Sequence, residues 1–152
     1  MLARRIADQA ELERFLDQAA VRDFTSDYMR IFNELVSRYG RFQLDGSWFL
    51  AEGLLRGTLV TVEGFVTRSG RVRLLGVVDS VVQPGTGSFL RFDYPSALPQ
   101  DVQRRMEDVA RRVIAEIGLS CSMFNIEMMH DPETDTISIV EINPRICGQF
   151  GD

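Results

Sequence analysis

A chain of 152 residues, 45% apolar and 26% charged, has the composition of one soluble globular domain able to bury its own core. Its 22 acids outnumber 17 bases, and the net charge of −5 argues against a nucleic-acid face or a polybasic membrane segment. All 17 bases are arginines, so no step that needs a lysine amine, whether a Schiff base or a phosphate clamp, can come from these residues.

Apolar residues at Ala10, Leu12, Phe15, Leu16 and Ala19 recur at helical spacing and predict a helix from Asp8 to Ala20. Asp8 is its N-cap, with Glu11 three residues on completing a box-like pattern. A second helix is expected from about Ser26 to Tyr39, ended by Gly40. Its stripe of Tyr28, Ile31, Phe32, Leu35, Val36 and Tyr39 is expected to face a core, as is Phe15 in the first helix.

From Trp48 the texture becomes that of strands, beginning with a short apolar run to Glu52. Leu59–Thr67 and Val72–Asp79 flank Arg68-Ser69-Gly70-Arg71 and read as a β-hairpin. The prolines and glycines between Gln83 and Leu98 predict mostly loop. Pro99 and Gln100 open the strongest helical pattern, running to about Ile117, with Gly118 as its cap. Two further strands, Ser120–Met129 and Thr136–Ile142, join across a turn that contains Pro132. The fold class expected is α+β, an antiparallel sheet with packed helices.

Cys121 and Cys147 are the only cysteines and His130 the only histidine, so no zinc site can be built without carboxylates. The thiols read as reduced bystanders, His130 as a turn residue, and the compartment as cytoplasmic, since no secretory signal is visible. No apolar run is long enough to span a membrane.

The last hairpin carries the chemistry. Counting back from its turn sets Glu127 and Glu141 close to opposite one another, where two like charges repel unless a cation lies between them. Asn143, two residues beyond Glu141, shares that face and adds a neutral oxygen. Such a donor set suits a hard cation whose shell phosphate oxygens complete. Arg145, two further on, presents a fork for a phosphate or carboxylate. A solvated hairpin face with scattered acids is the competing reading. Against it, both glutamates stand between apolar neighbours, Ile126 and Met128 for one, Val140 and Ile142 for the other.

Glu127 followed by Glu141-Ile142-Asn143-Pro144-Arg145 resembles the metal-binding end of the ATP-grasp superfamily of carboxylate–amine and carboxylate–thiol ligases. Phe49-Leu50-Ala51-Glu52-Gly53-Leu54-Leu55-Arg56-Gly57 is similar to the hinge strand that holds the adenine edge. Thr61-Val62-Glu63-Gly64-Phe65-Val66 is similar to the strand after it, and Ile6 to Leu12 to the short helix of the nucleotide lid.

The resemblance implies ATP and Mg²⁺ (or Mn²⁺) as cofactors, with Glu127, Glu141 and Asn143 as metal ligands. It assigns Arg145 and Arg91 to the transferred phosphate or the substrate, and Glu52, Leu55 and Met129 to the adenine. It implies one partial ATP-grasp domain: lid remainder and a helical insertion over residues 1–47, then hinge, sheet and metal half over 48–152. The activity expected is that of a carbon–nitrogen-bond-forming ligase that activates an amino acid or small carboxylate as an acyl phosphate. Biotin-carboxylase-like or carbamoyl-phosphate-synthase-like chemistry is an alternative. A non-catalytic nucleotide-binding or protein-interaction module of the same fold is another. The expected partners are nucleotide, a small carboxylate and a missing N-terminal portion with the lysine-bearing loop, without which this part alone is expected to be inactive. A homo-oligomer is compatible with all of these; nucleic acid and membrane are not expected partners.

Overall fold

A computed structural model describes residues 4–41, 43–84 and 88–146. The chain divides into two compact units, Met1–Gly53 and Leu54–Asp152.

The first unit is helical: α1 (Gln9–Leu16), α2 (Ala19–Asp23), a wider π-helical turn over Phe24–Tyr28, and α3 (Met29–Tyr39). Asp8 caps α1 by accepting the Glu11 backbone N–H at 2.8 Å, and the Glu11 carboxylate reaches back to the Ala7 N–H at 2.9 Å. The expected helix from Asp8 to Ala20 breaks instead at Asp17 and Gln18, and the Gln18 backbone is extended (φ −66°, ψ 134°). Phe15 and Val21 are buried, and Phe15 meets Phe49 edge-on at 5.9 Å between ring centroids.

Two expectations for this unit are corrected. The α3 stripe does not enter a core. Tyr28, Ile31, Phe32, Leu35 and Tyr39 are all exposed, and no residue of α3 is buried. Helical spacing shows that a face is apolar, not that something covers it. Trp48–Glu52 is not a strand: a strand needs a ladder partner for its N–H and C=O groups, and none of these residues has one. Gly40 ends α3 as expected, in an extended conformation (φ −125°).

The second unit is a five-stranded antiparallel sheet in the order β3-β2-β1-β4-β5. Its strands are β1 (Thr58–Val66), β2 (Val72–Val82), β3 (Phe89–Asp93), β4 (Ser122–Asp131) and β5 (Thr136–Asn143), with α4 (Gln100–Glu116) between β3 and β4. The segment read as loop thus contains a strand: Phe89–Asp93 pairs with the end of β2, and prolines on either side hid its five residues.

Alternation sorts the sheet into two faces. Val60, Val62 and Val66 of β1, Val77 of β2, and Phe124, Ile126 and Met128 of β4 form one core with Val102, Met106, Ala110 and Ile114 of α4. The loop entering α4 is fixed to the sheet by Asp79, which accepts from the Ser96 hydroxyl and, at 2.9 Å, from the Ala97 N–H. At the other end, Gly57 (φ +118°) lies against the His130 backbone, where an added Cβ would stand 2.0 Å from the carbonyl oxygen. His130 is therefore no turn residue. It is buried in β4, and its Nε2 lies 3.1 Å from Asp135, which also receives Arg105 of α4 at 2.8 Å. Cys121 is exposed; Cys147 lies outside the described residues.

Candidate active site

The sheet face turned away from α4 carries the polar residues. Across β1, β4 and β5 they fall into two rows: Thr61–Glu127–Glu141, and Glu63–Asn125–Asn143. A β-bulge between Glu127 and Met128 sets the first row, because Met128 pairs with Ile139 while Glu127 pairs with Glu141, leaving Val140 as the extra residue of β5. Residues directly opposed in a ladder project from the same face about 4.5–5.5 Å apart at Cβ. The two carboxylates are therefore close neighbours.

Burial holds the Glu127 carboxyl above its usual range, and the Glu141 charge raises it further, while the Arg145 guanidinium acts in the opposite sense. A half-buried anion that faces another anion is the electrostatic signature of a place for positive charge. Asn143 donates its amide N–H groups to Glu141 at 3.1 Å and to Asn125 at 3.1 Å, which leaves its carbonyl oxygen to offer an electron pair. Two carboxylates and one amide oxygen are hard donors of the kind Mg²⁺ accepts when water and phosphate oxygens fill the other positions. Among the described residues, no cluster of three or more His, Cys, Asp or Glu could hold a metal ion, so any cation here relies on the amide.

Asn125 went unnoticed in the sequence. It is 2% exposed, accepts from Asn143, and donates to the Arg145 carbonyl oxygen at 3.4 Å, tying the segment after β5 back to β4. The available signal was its position, two residues before Glu127 and hence on the same face. Ser122 adds a second tie, to the Pro144 carbonyl at 3.2 Å.

The remaining candidates separate. Met129 is half-buried on the same face of β4, two residues from Glu127, opposite Leu59 and Ser138. Leu55 is exposed in the segment before β1, and Glu52 is exposed in the first unit. Arg91 is not brought to this face. Phe92 pairs with Ser80, whose hydroxyl meets Thr61, so Arg91 alternates to the α4 side, where its Nε binds both oxygens of Asp93 at 3.0 Å.

A sheet of this order with an acidic–amide row at its edge is the class of architecture that the comparisons extend. The ATP-grasp domain model matches residues 13–151, and the chain belongs to the ATP-grasp family. The large chain of carbamoyl phosphate synthase from Thermotoga sp. (strain RQ2) is 40% identical over 53 residues, 34% of this chain and 5% of the relative. The C-terminal section of that large chain from Methanopyrus kandleri is 28% identical over 86 residues, 55% of this chain and 16% of the relative. A biotin carboxylase–nucleotide complex from Campylobacter jejuni superposes with a TM-score of 0.60 at 18% identity, over 85% of this chain and 28% of that structure. The chain thus spans a small part of each relative, and the last likeness is one of fold. No helix among the described residues is long and apolar enough to cross a membrane.

Proposed function

We propose that this chain carries the metal-binding face of an ATP-dependent ligase that activates a carboxylate as its acyl phosphate for attack by an amine or similar nucleophile. The observation that supports it best is the direct opposition of the half-buried Glu127 and the exposed Glu141, with Asn143 bonded beside them. In this reading Glu127, Glu141 and Asn143 hold Mg²⁺ or Mn²⁺, and the cation supplies charge neutralisation for the nucleotide phosphates. Arg145, already within electrostatic reach of Glu127, neutralises the transferred phosphoryl group or orients the carboxylate. Met129 and Leu55 border the adenine. Arg91, engaged with Asp93 on the other face, has no part in this set.

The chain contains no lysine, so every cation it can offer a phosphate is an arginine. Phosphoryl transfer needs positioning and charge neutralisation more than covalent help, so the residues on this face suffice for their share of the work. Binding of Mn²⁺ with ADP, followed by electron paramagnetic resonance of the free metal, tests the reading. Wild-type protein is expected to take up Mn²⁺ with nucleotide, and Glu141→Gln to weaken that uptake by about tenfold or more, roughly 1.4 kcal/mol. Equal uptake by the two proteins would overturn the assignment.

A further inference from the structure

The same sheet face holds a cavity that the metal row does not use. It has a volume of about 140 Å³ and is lined by Leu75, Gly76, Val78, Tyr94, Met123 and Ile146 and by the buried Glu63. Apart from Glu63 the walls are apolar or aromatic, and the lack of a side chain at Gly76 leaves room for the Tyr94 ring. A mostly apolar pocket of roughly 150 Å³ has room for a benzene-sized group. Its size therefore suits a phenyl ring or a branched aliphatic group.

Its position gives it a direction. Along one face of β4 stand, at every second residue, Met129, Glu127, Asn125 and Met123. The carboxylate pair lies between the Met129 end and the cavity at the Met123 end. Glu63 is the diagonal neighbour of Glu127, a separation of about 7–8 Å in an antiparallel ladder. Ile146 is in the cavity wall and Arg145 is next to it in the chain. A group seated in the cavity can thus extend a carboxylate toward Arg145 and the Glu127–Glu141 pair, on the far side of that pair from Met129.

Resting on the functional reading above, we propose that this cavity receives the apolar side chain of the carboxylate substrate, a phenyl or branched-aliphatic group, and selects against small or doubly charged acids.

Methionine-methyl NMR of the full chain, without metal or nucleotide, tests it. Phenylacetate and isovalerate are the probes, with acetate and succinate as controls. The first two are expected to shift the Met123 methyl signal and leave that of Met129 in place; the controls shift neither. Leu75 and Tyr94 are exposed, so Leu75→Trp, which fills the cavity, and Tyr94→Ala, which removes a wall, leave the core intact. Each is expected to weaken phenylacetate binding by about tenfold. Arg145→Gln is expected to weaken phenylacetate but not toluene, which lacks the carboxylate. The proposal is overturned if no probe moves Met123, if Leu75→Trp and wild type respond alike, or if toluene and phenylacetate respond alike to Arg145→Gln. Because no metal or nucleotide is present, these outcomes are independent of the Mn²⁺ result for Glu141→Gln, and either reading can fail without the other.

Discussion

Glu127 and Glu141 are direct partners in the β4–β5 ladder, and Glu127 binds its proton more tightly than an ordinary glutamate because burial and its partner's charge both resist ionisation. A raised carboxyl in the folded state contributes stability that is present below the ordinary glutamate range and lost as pH rises through the folded value. Glu127→Gln mimics the protonated form. It should match wild type in thermal unfolding under acid conditions and exceed it at neutral pH, by on the order of 1–2 °C. Added Mn²⁺ should narrow that gap by stabilising only the wild type, and equal melting at both pH values would remove the electrostatic argument.

Phe124 is fully buried where β1, β4 and α4 meet, so its loss leaves both missing contacts and a void. Phe124→Ala should cost about 3–5 kcal/mol in urea unfolding. A loss near the size of a surface change would mean the sheet repacks against α4.

Gly57 combines a left-handed backbone with a wall of main chain 2.0 Å from where a Cβ would sit. Backbone cannot swing aside as a side-chain tip can, so Gly57→Ala should destabilise by about 1–3 kcal/mol or more. Circular dichroism melting of this single variant, compared with Gly53→Ala at an open position, reads the difference.

The Asp135 carboxyl is held below its usual range by the Arg105 hydrogen bond and, next, by that of His130. The stability it contributes is present above the ordinary aspartate range and lost as pH falls through the lowered folded value. Asparagine tolerates the φ of +51° at this position, so Asp135→Asn removes the charge while keeping the turn. Its urea midpoint should fall less steeply than wild type on acidification, and parallel curves would show that the latch is not electrostatic.

The sheet and its principal helix were legible because their signals are local. Alternating valines in β1, the Gly70 turn and the stripe of Val102, Met106, Ala110 and Ile114 each state their structure within a few residues. The opposition of Glu127 and Glu141 was legible from the hairpin turn, though not the bulge at Val140 that brings it about. Strand β3 was lost because its pairing is settled by β2 and not by its own five residues. The facing of Arg91 was hidden for the same reason, since which face an edge residue takes depends on register. The α3 stripe was misread because periodicity carries no information about what lies opposite.

The extra residue at Val140 has a consequence for how this site tolerates change. Side-chain direction in a strand is a matter of odd or even count, so the bulge acts as a parity switch between the hairpin turn and the metal row. Were Val140 drawn into the ladder opposite Glu127, Glu141 and Asn143 would turn to the α4 side together, whereas deleting Val140 would make the ladder regular and keep Glu141 opposite Glu127. The site thus depends on Val140 staying out of the ladder, not on its presence.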